Sequence, residues 1–137
     1  MFLLRGSKAG QHQRGATQME FALTLLLVFL LVFFIWELSM VIYAHTALAG
    51  AANEGVRFAI VHSNDTDGSL TKAHVVQYAR LSLQRIDTTD VTVSYPDGNS
   101  DPPNRVIVSI TYTYAPITRF FTTAPTLKAY AQGRIVF

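Results

Sequence analysis

The sequence predicts an α+β protein: a long N-terminal helix that crosses a membrane and continues beyond it, a short second helix and a small antiparallel sheet. Three observations support this fold class. An apolar run interrupted only by Thr24 covers residues 21–36, and apolar residues recur at helical spacing over 70–86. From Val91 onward, apolar and polar residues alternate in the manner of strands. We find no internal repeat.

The leader, residues 1–15, concentrates positive charge at the N-terminus. It contains Arg5, Lys8 and Arg14 and no acidic residue, a pattern that favours a cytoplasmic N-terminus. The whole chain has a formal charge of +2, but the residues after the leader carry eight basic and nine acidic side chains, a sum of −1. That balance gives no basic surface for nucleic acid, and the lack of cysteine excludes disulfides and thiol chemistry.

The apolar run is long enough to span a bilayer. As a helix, residues 21–36 extend about 24 Å, and counting from Ala16 gives about 31 Å, against a hydrocarbon core of about 30 Å. We therefore predict a transmembrane segment at about 16–36, in contact with the lipid bilayer. Glu20 then lies inside the membrane edge, where a carboxylate is costly and usually has a partner.

Beyond the membrane the helix is predicted to continue to residue 61 with an amphipathic pattern. Trp36 and Tyr43 are candidates for the outer interface, and Glu37, between them, is expected to contact water. A run of small residues then makes the helix narrow. The backbone of another protein could approach closely there, or the run could pack against the protein's own small domain. These residues are Ala47, Ala49, Gly50, Ala51 and Ala52.

Residues 62–137 are predicted to form a small α+β domain outside the cytoplasm. Asp67 or Ser69 is expected to cap the second helix, whose apolar stripe comprises Leu70, Ala73, Val76, Ala79, Leu83 and Ile86. The turn at 96–99 separates a strand over Val91, Val93 and Tyr95 from a longer one over Val106, Val108, Ile110, Tyr112 and Tyr114. A third strand is predicted over Leu127, Ala129 and Ala131.

Catalytic and metal-binding patterns are weak. The four histidines, His12, His45, His62 and His74, lack the spacing of metal ligands. The segment Ser63, Asp65, Asp67 and Gly68 imitates half of an EF-hand loop, but His74 stands where the bidentate glutamate belongs, so a capped turn is favoured over calcium. Tyr112, Tyr114, Phe120 and Phe121 are interpreted as core and loop packing. We therefore predict no enzyme activity, no cofactor and no metal.

A family resemblance appears where the leader meets the apolar helix. Gly15 is followed five residues later by Glu20 at the head of the helix, a pattern that resembles the processing site of type IV prepilins. In that family a prepilin peptidase cuts on the cytoplasmic side after the glycine, here between Gly15 and Ala16. The pair Glu20-Phe21 is similar to the Glu-Tyr or Glu-Phe of the Flp, or tight adherence, branch.

A second stretch resembles the TadE-like family. From Tyr43 to Ala59 a Tyr-Ala pair and a run of small residues lead to a segment similar to the family's Asn-x-x-Glu-Gly-x-Arg-Tyr-Ala pattern. Here the asparagine directly precedes the glutamate, without the two intervening residues of the pattern, and Phe58 takes the aromatic place. The matching positions are Asn53, Glu54, Gly55 and Arg57. The segment 125–134 is loosely similar to the family's closing strand.

The resemblance implies a minor pilin or pseudopilin that helps to assemble a Flp-type pilus used in cell adhesion. It implies a single-pass protein of the bacterial inner membrane, with its C-terminal domain in the periplasm. The implied partners are the prepilin peptidase, the inner-membrane assembly platform with its secretion ATPase, and other major and minor pilins.

Two other kinds of membrane processing remain open. A secretory signal peptide cut after Ala49 would fit the Ala-Leu-Ala site, although the apolar run is longer than a usual signal core. An uncleaved signal anchor would have Glu20 reaching back to the cytoplasmic face. The alternative function is then a signal-anchored extracytoplasmic binding or sensor domain that is not part of a filament.

Overall fold

The computed structural model describes residues 9–62, 65–83, 85–117 and 123–136. Its elements in chain order are helix α1 (Ala9–Val61), helix α2 (Ser69–Ala79), a 3-10 turn (Thr88–Asp90), and strands β1 (Val91–Ser94), β2 (Arg105–Thr113) and β3 (Thr126–Arg134). The predicted α+β class is confirmed, with a long apolar helix, a short helix and a three-stranded antiparallel sheet. The chain divides into two compact units, Met1–Trp36 and Glu37–Phe137.

The first unit presents an apolar surface to its surroundings. Every side chain over residues 21–36 is exposed, including Phe21, Leu26 and Trp36. A contiguous apolar surface of this kind is typical of contact with lipid or with another protein. Within the described part of the chain, α1 is the one helix long and apolar enough to cross a membrane. The protein therefore has the features of a single-pass membrane anchor.

The second unit contains the sheet, a meander in the order β1-β2-β3. The central strand β2 pairs with β1 through Val91 and Ile110, and with β3 through Val108 and Ala131. Alternate residues of β2 point into the core, and the predicted residues Val106, Val108, Ile110, Tyr112 and Tyr114 are all buried. Period-two alternation therefore identified the buried face of this strand correctly.

The part of α1 in the second unit supplies the other side of this core. Leu48, Ala51 and Ala52 are completely buried. The small residues at these positions therefore pack within the protein's own domain. Gly50 differs, because a Cβ atom built there has no neighbour within 4 Å.

Helix α2 is capped at two levels, and its apolar face differs from the prediction. The Asp67 carboxylate accepts from the amide of Ser69, the first residue of the helix, at 3.2 Å, and the buried carboxylate of Asp65 accepts from the amides of Leu70 (3.1 Å) and Thr71 (2.8 Å). Leu70 is 56 % exposed and Ala73 is exposed as well, so the predicted stripe is wrong over this part of the helix. Leu83 and Ile86 are buried but lie beyond the last helical residue. Ser63, Phe120 and Phe121 lie outside the described residues.

Candidate functional site

The proposed processing and assembly residues lie on the exposed surface of α1. Gly15, Ala16, Glu20 and Phe21 are all exposed, and a Cβ atom added to Gly15 meets no neighbour within 4 Å. The hydroxyl of Thr24 donates to the main-chain carbonyl of Glu20 at 2.9 Å. The Glu20 carboxylate pairs with no other described side chain.

Gly55 belongs to the family-like segment and is a packing residue. A Cβ atom at this position would lie 2.3 Å from Cγ2 of Val75 and 3.2 Å from Cγ1 of Val108. Only a residue without a side chain lets α1 approach α2 and β2 this closely. A related contact occurs at Gly133, whose added Cβ would lie 2.4 Å from Cγ1 of Val56.

Two polar members of the same segment, Asn53 and Arg57, face outward, and Glu54 is half-buried. The Asn53 side chain is exposed and donates to the carbonyl of Ala49 at 2.9 Å. Arg57 is 81 % exposed and lies 3.7 Å from the Glu54 carboxylate. A pair this exposed contributes only a few tenths of a kcal/mol. The exposed side chains of Asn53 and Arg57 therefore contribute little to folding.

An aromatic stack joins this segment to α2. The ring of Phe58 lies between those of His62 and His74, with centroid distances of 4.0 and 4.3 Å and nearly parallel planes. His74 Nε2 lies 3.8 Å from the Glu54 carboxylate. The sequence predicted only scattered surface histidines, because no spacing rule brings residues 62 and 74 to the same phenyl ring.

Glu37 corrects an expectation from the sequence. It was expected to contact water, but it is fully buried. Its Oε1 accepts a hydrogen bond from the Tyr114 hydroxyl (3.0 Å) and one from the Ile117 amide (3.2 Å). Burial and the bond to Glu37 raise the pKa of Tyr114 to about 12. Partners 77 and 80 residues away in sequence compensate the burial of this carboxylate.

Metal-ligating groups do not converge in the described part of the chain. No group of three or more histidine, cysteine or acidic side chains there has the geometry to hold an ion. Asp65, the central residue of the EF-hand-like segment, instead directs its carboxylate to the start of α2 and its carbonyl to the Tyr95 hydroxyl.

Comparison with known proteins supports the resemblance seen in the sequence. The family model described as "TadE-like protein" matches residues 15–57. No curated protein matches the chain, and no solved structure does. The match begins at Gly15, ends at Arg57 and leaves α2 and the sheet outside it. Over residues 15–57 the chain is therefore similar to TadE-like proteins.

Proposed function

We propose that this protein is a minor pilin or pseudopilin that takes part in assembling a Flp-type pilus. The observation that carries the proposal is the TadE-like match over residues 15–57, which begins at the glycine of the prepilin-like site and includes the whole exposed apolar run. In a subunit of this kind, the apolar surface contacts lipid before assembly and neighbouring pilin helices afterwards.

The proposed membrane arrangement follows from charge and length. Residues 1–15 form the cytoplasmic leader, 16–61 form the mature N-terminal helix with its membrane segment at about 16–36, and 62–137 form the extracytoplasmic domain in the periplasm. A prepilin peptidase removes the leader between Gly15 and Ala16. The open space around Gly15 supports this assignment, because an enzyme can approach that backbone without meeting a side chain.

Glu20 is proposed to act in assembly. Its exposed carboxylate would be costly in lipid, and the cleaved protein offers a compensating charge in the new α-amino group of Ala16 on an adjacent subunit. Phe21, which is 68 % exposed, adds apolar contact beside that ion pair. Arg57 and Asn53 extend the contact surface on the extracytoplasmic part of α1, towards other pilins or the assembly platform.

The N-terminal residue of the mature protein tests this proposal. In cells that contain a prepilin peptidase, mass spectrometry of the purified full chain should find Ala16 as the first residue. Gly15→Leu should leave the leader in place. Gly10→Leu is the matched control, because the same substitution within the leader should not prevent cleavage.

The other outcomes distinguish the alternatives. A mature protein that still begins at Met1 in peptidase-competent cells would overturn the pilin assignment and favour a signal-anchored domain. A start at Gly50 would indicate ordinary signal-peptide cleavage and a secreted domain.

A further inference from the structure

A cleft with two arginines opens at one end of the sheet. It has a volume of about 760 Å³ and lies between the start of β2, the end of β3 and the loop that precedes β2. Ligand-binding clefts commonly have volumes of about 300–1,000 Å³. Its polar lining includes Asp97, Arg105, Gln132 and Arg134. None of these residues belongs to the TadE-like segment.

The two arginines are direct cross-strand neighbours, since Arg105 pairs in register with Arg134. Like charges in this arrangement repel each other. Asp97 compensates Arg105: its carboxylate accepts from Nε at 3.1 Å and from Nη2 at 2.9 Å, and also from the Arg105 amide. These hydrogen bonds lower the pKa of Asp97 to about 2, so the carboxylate stays charged.

Arg134 shares the Asp97 charge with Arg105 but forms no hydrogen bond to that carboxylate. Its Nε donates to the carbonyl of Pro103 at 2.9 Å, a contact that holds the side chain at the cleft. No described carboxylate forms an ion pair with its guanidinium. Two arginines and one aspartate therefore leave the cleft with one positive charge, and a single carboxylate would neutralise it.

The single unbalanced charge suits a carboxylate, and the cleft lies far from Glu37 within the second unit. Strand β2 begins at Arg105, in the cleft, and leads at its other end to Tyr114, whose hydroxyl binds Glu37. Nine residues of strand place these two ends about 30 Å apart. Glu37 directly follows the apolar run, so the cleft lies at the end of β2 that is remote from this junction.

We propose that this cleft binds a carboxylate of a neighbouring protein, with Arg134 as its ion-pair partner. The Gln132 side chain, two residues away on the same face of β3, is placed to donate to the second carboxylate oxygen. The identity of the neighbour as another pilus subunit rests on the proposed function. The binding chemistry of the cleft does not.

The experiment uses the full chain in neutral phospholipid nanodiscs, with ¹⁵N-labelled arginine to observe the Nε–H signals. The probe is a blocked Gly-Glu-Gly peptide, compared with Gly-Gln-Gly and with inorganic phosphate. The glutamate peptide should shift the Arg134 signal in a saturable, salt-sensitive manner, and the glutamine peptide should not. Because the assay needs neither cleavage nor pili, its outcome is independent of the processing test.

Three variants locate the effect. Arg134→Gln should weaken binding of the glutamate peptide about tenfold, and Arg134→Lys, which keeps the charge but loses the planar fork, should weaken it less. Lys128→Gln is the matched control, because it removes one positive charge from the same face of β3 outside the cleft. Binding by Lys128→Gln should equal that of the unmodified protein.

Three results would overturn the proposal. Equal weakening by Arg134→Gln and Lys128→Gln would mean that the charge acts only in a general way. No saturable shift with the glutamate peptide would mean that the cleft does not bind a carboxylate. Binding of phosphate without binding of the glutamate peptide would assign the cleft to a phosphate group. An unchanged Nε–H signal of Arg105 in the Arg134→Lys variant would show that this end of the sheet is still folded in that variant.

Discussion

The substitution Gly55→Ala tests the close packing of α1 against the rest of its domain. In an open helix, replacing glycine with alanine stabilises by about 0.8–1.0 kcal/mol. Here the new Cβ atom would lie 2.3 Å from Val75 Cγ2, against a normal carbon–carbon contact of about 3.5–4.0 Å. Val75 cannot rotate away at low cost, because a β-branched side chain in a helix has one strongly preferred rotamer.

Overpacking of this kind costs about 1–3 kcal/mol and exceeds the gain in helix propensity. We therefore expect Gly55→Ala to destabilise the second unit by up to about 2 kcal/mol after the helix-propensity gain is subtracted, which corresponds to a fall in Tm of up to roughly 10 °C for a unit of this size. Gly50→Ala is the matched control on the same helix. Its new Cβ atom meets nothing within 4 Å, so the same change should stabilise by up to about 1 kcal/mol.

Thermal unfolding of the full chain in detergent, followed by near-ultraviolet circular dichroism, measures both effects. The double variant Gly55→Ala with Val75→Ala should be more stable than the sum of the two single changes predicts, because the new methyl group occupies space that Val75 vacates. If Gly55→Ala stabilises as much as Gly50→Ala, the inferred contact between α1 and α2 is wrong.

Two further predictions concern Glu37 of α1, through its hydrogen bond to Tyr114, and Glu20 of the same helix. The pKa of Tyr114 is about 12 in the folded protein and 10.0 in the unfolded chain, so the unfolded chain loses the hydroxyl proton first as the pH rises. The stability contributed by the protonated hydroxyl is therefore fully present below pH 10 and is lost as the pH rises through about 12. Tyr114→Phe should flatten this part of the curve of unfolding free energy against pH, whereas Tyr130→Phe, at a residue that is 79 % exposed, should not. Glu20→Ala should insert at least as well as the unmodified protein, because it removes a charge that costs up to about 2.5–3.5 kcal/mol in a membrane, yet it should fail to co-purify with other pilins. Thr24→Ala, a change on the same helix that leaves the carboxylate in place, is the control and should still co-purify with other pilins. If Glu20→Ala cells show unchanged association and piliation, Glu20 has no role in assembly.

Periodic patterns were sufficient to predict most of the fold. The apolar run gave the long helix, and alternation gave the inward residues of β2 from Val106 to Tyr114. These signals are local, because a residue's face in a helix or strand follows from its spacing alone. The TadE-like match likewise depends on a contiguous segment, which is why Gly15 to Arg57 was recognisable from sequence.

The contacts that were missed join distant parts of the chain. Glu37 was assigned to water because its neighbours in sequence include Trp36 and Tyr43, while its actual partners are Tyr114 and Ile117. The second cap of α2, by Asp65, was missed for a related reason. Asp65 accepts from the amides of Leu70 and Thr71, five and six residues along the chain, which is farther than the usual capping distance of two or three residues.

The burial of Glu37 affects how much of α1 lipid can cover. A water-exposed carboxylate at this position would hold the hydrophobic boundary next to Trp36, since drawing it into the bilayer is costly. With Glu37 shielded by its own domain, the exposed side chains past this point, up to Tyr43, carry no charge: they are Leu38, Ser39, Ile42 and Tyr43. From Trp36 to Tyr43 the helix rises about 10 Å. In a subunit anchored by this helix, lipid can therefore cover up to about 10 Å more of it without contacting a charge, which would accommodate bilayers of different thickness.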